Sequence, residues 1–149
     1  MKIVVQRVKE SKVLKISGDK KEEISRIGKG LLVFLGVKKG DTISDAQYLA
    51  EKLLHLRCFD DKNSKMNLSV GDVKGEIMVV SEFTLYGDCR KGRRPDFAMA
   101  ETPEQAKKLY MIFIEILKKT GMKVSNGEFK AYMQVEIKND GPITFIIES

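Results

Sequence analysis

The sequence predicts an α+β protein in one domain over residues 1–149, with a curled, mostly antiparallel, barrel-like sheet and two main helices. Three observations carry this reading. The elements run as several strands, a helix, a strand, a helix and two strands. From Phe129 to Lys138, the apolar residues Phe129, Ala131, Met133, Val135 and Ile137 alternate with polar ones, the period of a half-buried strand. Two other stretches repeat apolar residues at helical spacing.

In chain order, Ile3 to Val8 reads as a strand and Val13 to Ile16 as a second, ahead of a turn at Ser17-Gly18-Asp19. Ile24 and Ile27 alternate weakly before Gly28-Lys29-Gly30. Leu31 to Val37 is continuously apolar, as in a strand buried on both faces. A helix follows, with Ser44 and Gln47 as its capping box, Ile43 as an entry staple, and Ala46, Leu49, Ala50, Leu53 and Leu54 on its apolar face. Asp60 to Asn63 reads as a plain turn, because it lacks the spacing of a calcium loop. Asn67 to Gly75 is irregular, and Ile77 to Leu85 is a strand. The second helix has Thr102 as cap, Pro103 at its first position and Gln105 completing a capping box. Its apolar face is Ala106, Leu109, Tyr110, Phe113, Ile116 and Leu117, and Gly121 stops it. Asn139-Asp140-Gly141-Pro142 reads as a turn, and Ile143 to Ile147 as a last strand whose edge is free to pair with another subunit.

A formal charge of +6 and a pI near 9.2 favour an acidic partner, nucleic acid first, although much of the excess is scattered lysine. Cys58 and Cys89 fit neither a zinc site nor a disulfide framework, so no metal or other cofactor is expected. The first residues lack the apolar core of a signal peptide, and no apolar run approaches a membrane span. The expected location is the cytoplasm.

The densest chemistry lies between Ile77 and Phe97. Ser81, Glu82, Phe83 and Thr84 place two hydroxyls beside a carboxylate. A hydroxyl nucleophile needs a base, and the single histidine, His55, sits at a helix end where packing or the helix dipole accounts for it. Arg90, Lys91, Arg93 and Arg94 form a basic loop between Gly87 and Pro95, suited to phosphates or simply to solvent. Gly141-Pro142 is a third candidate, since an X-Pro bond is the usual place for a cis peptide.

The chain resembles the D-aminoacyl-tRNA deacylases over its whole length. The resemblance rests on Val5-Gln6-Arg7-Val8, Gly28-x-Gly30-Leu31-Leu32-Val33-x-Leu35-Gly36-Val37, Leu56-Arg57-x-Phe59 and Lys65-Met66-Asn67-Leu68-Ser69. Its most specific parts are Val79-Val80-Ser81-x-Phe83-Thr84-Leu85-Tyr86, Lys91-Gly92-Arg93-Arg94-Pro95-x-Phe97, Met133-Gln134-Val135 and Asn139-Asp140-Gly141-Pro142-x-Thr144. It implies a homodimer that hydrolyses the ester between a D-amino acid, or glycine misattached to alanine tRNA, and the terminal adenosine of tRNA. It implies that Gly141 and Pro142, typically joined by a cis bond, enter the partner's site and exclude L side chains, braced by Arg7. It implies that Phe129 and Met133 pack near the terminal adenine. Thr84 matches a residue once favoured as nucleophile in the family. The later family view has the terminal ribose 2′-hydroxyl helping to activate water, with backbone groups such as the Phe83 N–H positioning the ester.

Two departures stand out. Glu82 replaces a glutamine of the family, losing two donors and adding a charge, and Lys130 and Tyr132 stand where members commonly carry Gly and Asp. Glu82 keeps open the alternative of a catalytically weakened tRNA-binding homologue. A sister deacylase of relaxed chirality is disfavoured by Ser81 and by the Asn-Asp-Gly-Pro context.

Overall fold

The computed structural model describes residues 1–149. The chain opens on three strands, β1 (Lys2–Ser17), β2 (Lys20–Ile27) and β3 (Gly30–Gly36), followed by helix α1 (Ile43–Leu54). Two short strands, β4 (Phe59–Asp60) and β5 (Met66–Leu68), pair only with each other. Then come β6 (Glu76–Ser81), a 3-10 turn (Phe83–Tyr86), helix α2 (Pro103–Lys118), β7 (Val124–Asn126) and β8 (Met133–Glu148).

The main sheet runs β2-β1-β3-β6-β7, with β8 on the other side of β1. β1 is antiparallel to β2, β3 and β8, whereas β3–β6 and β6–β7 are parallel. β1 exchanges partners along its length: residues 2–8 pair with β3 and residues 11–17 with β2. The sheet therefore curls, and β2 returns against β6 and β7. This is the mixed α+β, barrel-like architecture that the element order predicts.

The curl gives β3 and β6 two buried faces. Leu31, Val33 and Leu35 of β3, with Ile77 and Val79 of β6, face α1 and α2 in the larger core cluster. Leu32, Met78 and Val80 face the other way, into a smaller cluster with Val8, Val13 and Ile27 inside the curled sheet. Continuous apolar runs are the sequence consequence of burial on both faces. At the start of this pair, Gly30 sits against Glu76, and a Cβ there would lie 1.8 Å from the Glu76 carbonyl oxygen.

The structure corrects several expected boundaries. Ile3–Val8 and Val13–Ile16 belong to one 16-residue strand, because the polar residues between them still pair with β8. The α1 capping box is Thr42 with Asp45, not Ser44 with Gln47, and Ile43 is half exposed. Thr102 and Pro103 do open α2, but no side chain caps it, so Gln105 completes no box. Asp60 lies in β4, and Asn67 in β5. The strand expected to reach Leu85 ends at Ser81. The strand expected from Phe129 begins at Met133, since Lys130 takes a φ of +66° that breaks extended pairing.

Asn139–Pro142 is not a hairpin turn either. It lies inside β8, which pairs with β1 on both sides of it. Gln6 faces Thr144 and Val8 faces Asn139, so Arg7 alone stands opposite the four residues Asp140 to Ile143. This is an enlarged β-bulge. Asn139 clamps its base: its side-chain oxygen accepts from the Ile143 N–H (3.1 Å) and its amide donates to the Ile143 carbonyl (3.4 Å).

Two measurements test this description. Gly30→Ala forces apart the two central parallel strands, and urea unfolding is expected to show a loss of about 3 kcal/mol or more. The Thr42 hydroxyl, with Ser149 and the Thr42 N–H, holds the Asp45 carboxyl at about 2. Its folded value is below its unfolded value, so its stabilisation is present above roughly pH 4 and fades as pH falls towards 2. Asp45→Asn is therefore expected to flatten the acid limb of the stability curve in that window.

Candidate active site

A cavity of about 630 Å³ opens where β6 ends. Phe34, Leu35 and Val37 line it from β3 and its exit, Val80 and Ser81 from β6, and Glu82 and Phe83 from the residues that follow. Pro103, Ala106 and Tyr110 contribute from α2, and Phe129 to Met133 from the approach to β8. Most of the lining is apolar, and the charged members are Glu82, Glu101 and Lys130.

Tyr110 fixes the floor. Its buried hydroxyl donates to the Val79 carbonyl (2.9 Å) and lies 3.3 Å from that of Gly127, and burial pushes its pKa well up. Its ring packs against Phe129 at 5.7 Å. A Cβ on Gly127 would lie 2.9 Å from the Met133 sulfur, so this glycine lets Met133 close over the cavity. Tyr110 reads in sequence as one more apolar position of a helix face, and nothing in the spacing marks it as a cavity residue.

The wall turns sharply after Ser81. The Glu82 N–H still donates to the Leu35 carbonyl (2.8 Å), continuing the β3–β6 ladder by one residue. The chain then enters the 3-10 turn, where the Leu85 N–H reaches the Glu82 carbonyl at 3.4 Å. The N–H groups of Phe83 and Thr84 open the turn and have no partner within it. The Thr84 hydroxyl donates to the Glu82 carboxylate. Ser81, Glu82, Phe83, Phe129 and Met133 thus share one cavity, while Thr84 is joined to it only through Glu82.

Gly141, Pro142 and Arg7 lie elsewhere. None lines the cavity of its own chain. The Gly141-Pro142 bond is cis, and both residues are exposed on the bulge. Arg7 is 7% exposed and holds the bulge from beneath. Its Nε sits 3.1 Å from the Asp140 carboxylate and 3.3 Å from the Asp140 carbonyl. Its Nη1 donates to the Cys58 carbonyl (2.9 Å) and to Asp60 (3.1 Å). Asp60, read from sequence as part of a plain turn, is therefore half of a clamp, and only long-range pairing reveals it.

The basic loop is closed by paired backbone bonds between Asp88 and Asp96 (2.7 and 2.9 Å). Arg90 is spent inside it: two guanidinium contacts, at 2.9 and 2.6 Å, hold the Asp88 carboxyl at about 2. Lys91, Arg93 and Arg94 are exposed and enter no ion pair. The loop meets the cavity wall through Phe97, whose ring lies 5.0 Å from that of Phe83. Lys130 and Tyr132, expected on the polar face of a strand, instead occupy the turn at the cavity rim before that strand begins. His55 is exposed at the C-terminal cap of α1 and outside the cavity. Cys58 is buried, which raises its thiol to about 11, and Cys89 is exposed. No three His, Cys, Asp or Glu side chains converge to hold a metal ion, and no helix is long and apolar enough to cross a membrane.

Comparison with known proteins places this geometry. The family model described as D-Tyr-tRNA(Tyr) deacylase matches residues 4–148. The chain belongs to that family. A D-aminoacyl-tRNA deacylase of Thermosipho melanesiensis is 55% identical over 150 aligned residues, covering 100% of this chain and 97% of the relative. One of Thermotoga petrophila is 50% identical with the same coverage. Among solved structures, a protein titled c-Myc DNA Unwinding Element Binding Protein superposes with a TM-score of 0.91 at 43% identity, covering 100% of this chain and 99% of that one. A probable eukaryotic D-amino acid tRNA deacylase reaches a TM-score of 0.86 at 16% identity, over 99% and 98% of the two chains, which is a likeness of fold.

The Arg7 clamp yields a direct test. Removing a buried charge that makes four contacts leaves Asp60 without a cation and Asp140 with only the exposed Lys9, 3.8 Å away. Arg7→Ala is expected to lower stability by about 3 kcal/mol or more in urea unfolding, and Arg7→Lys to recover only part, because one ammonium cannot span the fork.

Proposed function

We propose that this protein hydrolyses the ester of D-aminoacyl-tRNA, and of glycine misattached to alanine tRNA, releasing the amino acid and intact tRNA. The cavity at the end of β6 carries this reading. It is a cleft open on one side, mostly apolar and of a size suited to a small-molecule group such as the terminal aminoacyl-adenosine. Phe129 and Met133 supply surface for the adenine, and Ser81 to Phe83 form the wall against which the ester rests. The relatives' names supply the substrate class.

Thr84 does not act as a base-activated nucleophile in this reading, since its hydroxyl is committed to Glu82 and His55 lies outside the cavity. Water is the nucleophile, assisted by the ribose 2′-hydroxyl. Its oxygen adds to the ester carbonyl carbon, the bond to the 3′-oxygen breaks, and that oxygen leaves with a proton. The Phe83 N–H at the open end of the 3-10 turn positions the ester. The unpaired cations Lys91, Arg93 and Arg94 contact tRNA phosphates, and Arg90 contributes least because Asp88 neutralises it.

We further propose that the working form is a homodimer in the cytoplasm. Gly141 and Pro142 are exposed and outside their own cavity, so in this reading each chain presents them to the cavity of its partner. There they exclude an L side chain at Cα while glycine and D residues fit. β8 flanks the sheet on one side and exposes Ile137 and Ile146, apolar surface suited to a second copy.

The pure protein at micromolar concentration is expected to release D-Tyr from D-Tyr-tRNA with a preference over L-Tyr-tRNA of about a hundredfold or more. Salt-dependent tRNA binding without release of either amino acid would overturn the enzyme reading in favour of a tRNA-binding homologue. Sedimentation velocity is expected to give twice the chain mass.

A further inference from the structure

We propose that the Glu82 carboxylate receives the protonated α-amino group of the bound aminoacyl-adenosine, making the positive charge on that group a condition of tight binding. The inference rests on the substrate class proposed above and assigns a specificity-determining contact within that cavity.

The cavity's charge balance is the starting point. Glu82 and Glu101 both line it, against the single cation Lys130. Glu101 accepts the Thr102 N–H at 2.7 Å. Glu82 takes part in no ion pair within the chain, and the only hydrogen bond to its carboxylate is from the Thr84 hydroxyl to Oε1. An ionised carboxylate offers about four acceptor positions, so most of the capacity of Glu82, including all of Oε2, is unused. Half-buried in a largely apolar cavity, such a group is stabilised by a cation arriving with the ligand.

The ligand itself decides which cation that is. The tRNA end is anionic in its phosphates and neutral in its base, ribose and ester. The one cationic group common to every aminoacyl end is the α-ammonium, which lies a single carbon from the ester carbonyl. A carboxylate in the wall that positions the ester is therefore near the positive charge that every such substrate brings.

The local backbone suits this role. The Glu82 N–H is tied to Leu35 and its carbonyl to the Leu85 N–H, so its side chain leaves from a fixed point. Thr84 holds Oε1 and leaves Oε2 open. A glutamine at this position would offer the ammonium a neutral acceptor, and charge-assisted hydrogen bonds are roughly twice as strong as neutral ones.

The test compares two non-hydrolysable ligands. One is D-tyrosine joined by an amide to 3′-amino-3′-deoxyadenosine. The other is identical except that a hydroxyl replaces the α-amino group, which removes the charge at nearly constant size. Calorimetric titration of the native protein is expected to show the amine ligand binding about tenfold to a hundredfold more tightly. In Glu82→Gln the preference is expected to shrink to about threefold or less, through weaker binding of the amine ligand alone. Glu82→Asp, which keeps the charge, is expected to retain part of the preference and carries the test should the glutamine variant fail to fold. Equal binding of both ligands by the native protein, an undiminished preference in Glu82→Gln, or no binding of either ligand would overturn the proposal. Parallel hydrolysis of D-Tyr-tRNA keeps the two readings apart: selective amine binding without hydrolysis sinks the activity and leaves the contact, and hydrolysis with equal binding does the reverse.

Discussion

The parallel pairing of β3 with β6 is the constraint from which the rest of the molecule follows. Both strands bury both faces, one against the helices and one within the curled sheet, and their approach is close enough that only glycine fits at position 30. Because the strands run in the same direction, Leu35 and Ser81 end side by side. The ladder stops one residue later, at the bond from Glu82 to Leu35, and the chain leaves the sheet under a helix that is already packed there. The cavity is the space this departure creates, and Tyr110 braces it by holding the Val79 carbonyl from the helix side.

Much of this fold is legible in the sequence, for a physical reason in each case. The run Leu31–Val37 reads as buried on both faces because it is. The face of α2 and its opening Pro103 read correctly because helical periodicity and the first-turn preference of proline are local. The alternation from Met133 onward reads as a strand because one face packs inward. What escapes is decided at long range. Nothing local says that Lys9 to Lys12 continue a strand, since β8, which runs beside this stretch, lies more than a hundred residues away and only Ser11 and Lys12 also meet β2. The end of β6 at Ser81 is set by where β3 ends, and Phe83 to Leu85 carry strand-like residues into a 3-10 turn.

The candidate site divides in the same way. The contiguous group Ser81 to Phe83 is visible as a polar interruption in an apolar strand, and it does line the cavity with Phe129 and Met133. Glu101 and Phe34 join them only through folding. Arg7 is found through family resemblance, yet its partners Asp60 and Asp140 are separated from it by 53 and 133 residues, distances over which no spacing rule operates. The basic loop is the reverse case: dense in sequence, but with one of its four cations consumed by Asp88.

The Asn139 clamp has a consequence for how this protein can change over time. The bulge is pinched shut at its base, and normal pairing with β1 resumes on both sides. Its tip is therefore an insert in a strand whose register is held on both sides, with Gly141, at φ +133°, and Asp140, tied to Arg7, as its fixed points. Selection can act on the exposed tip while the scaffold beneath stays fixed. A protein built this way keeps the pairing of its strand independent of what the exposed tip presents.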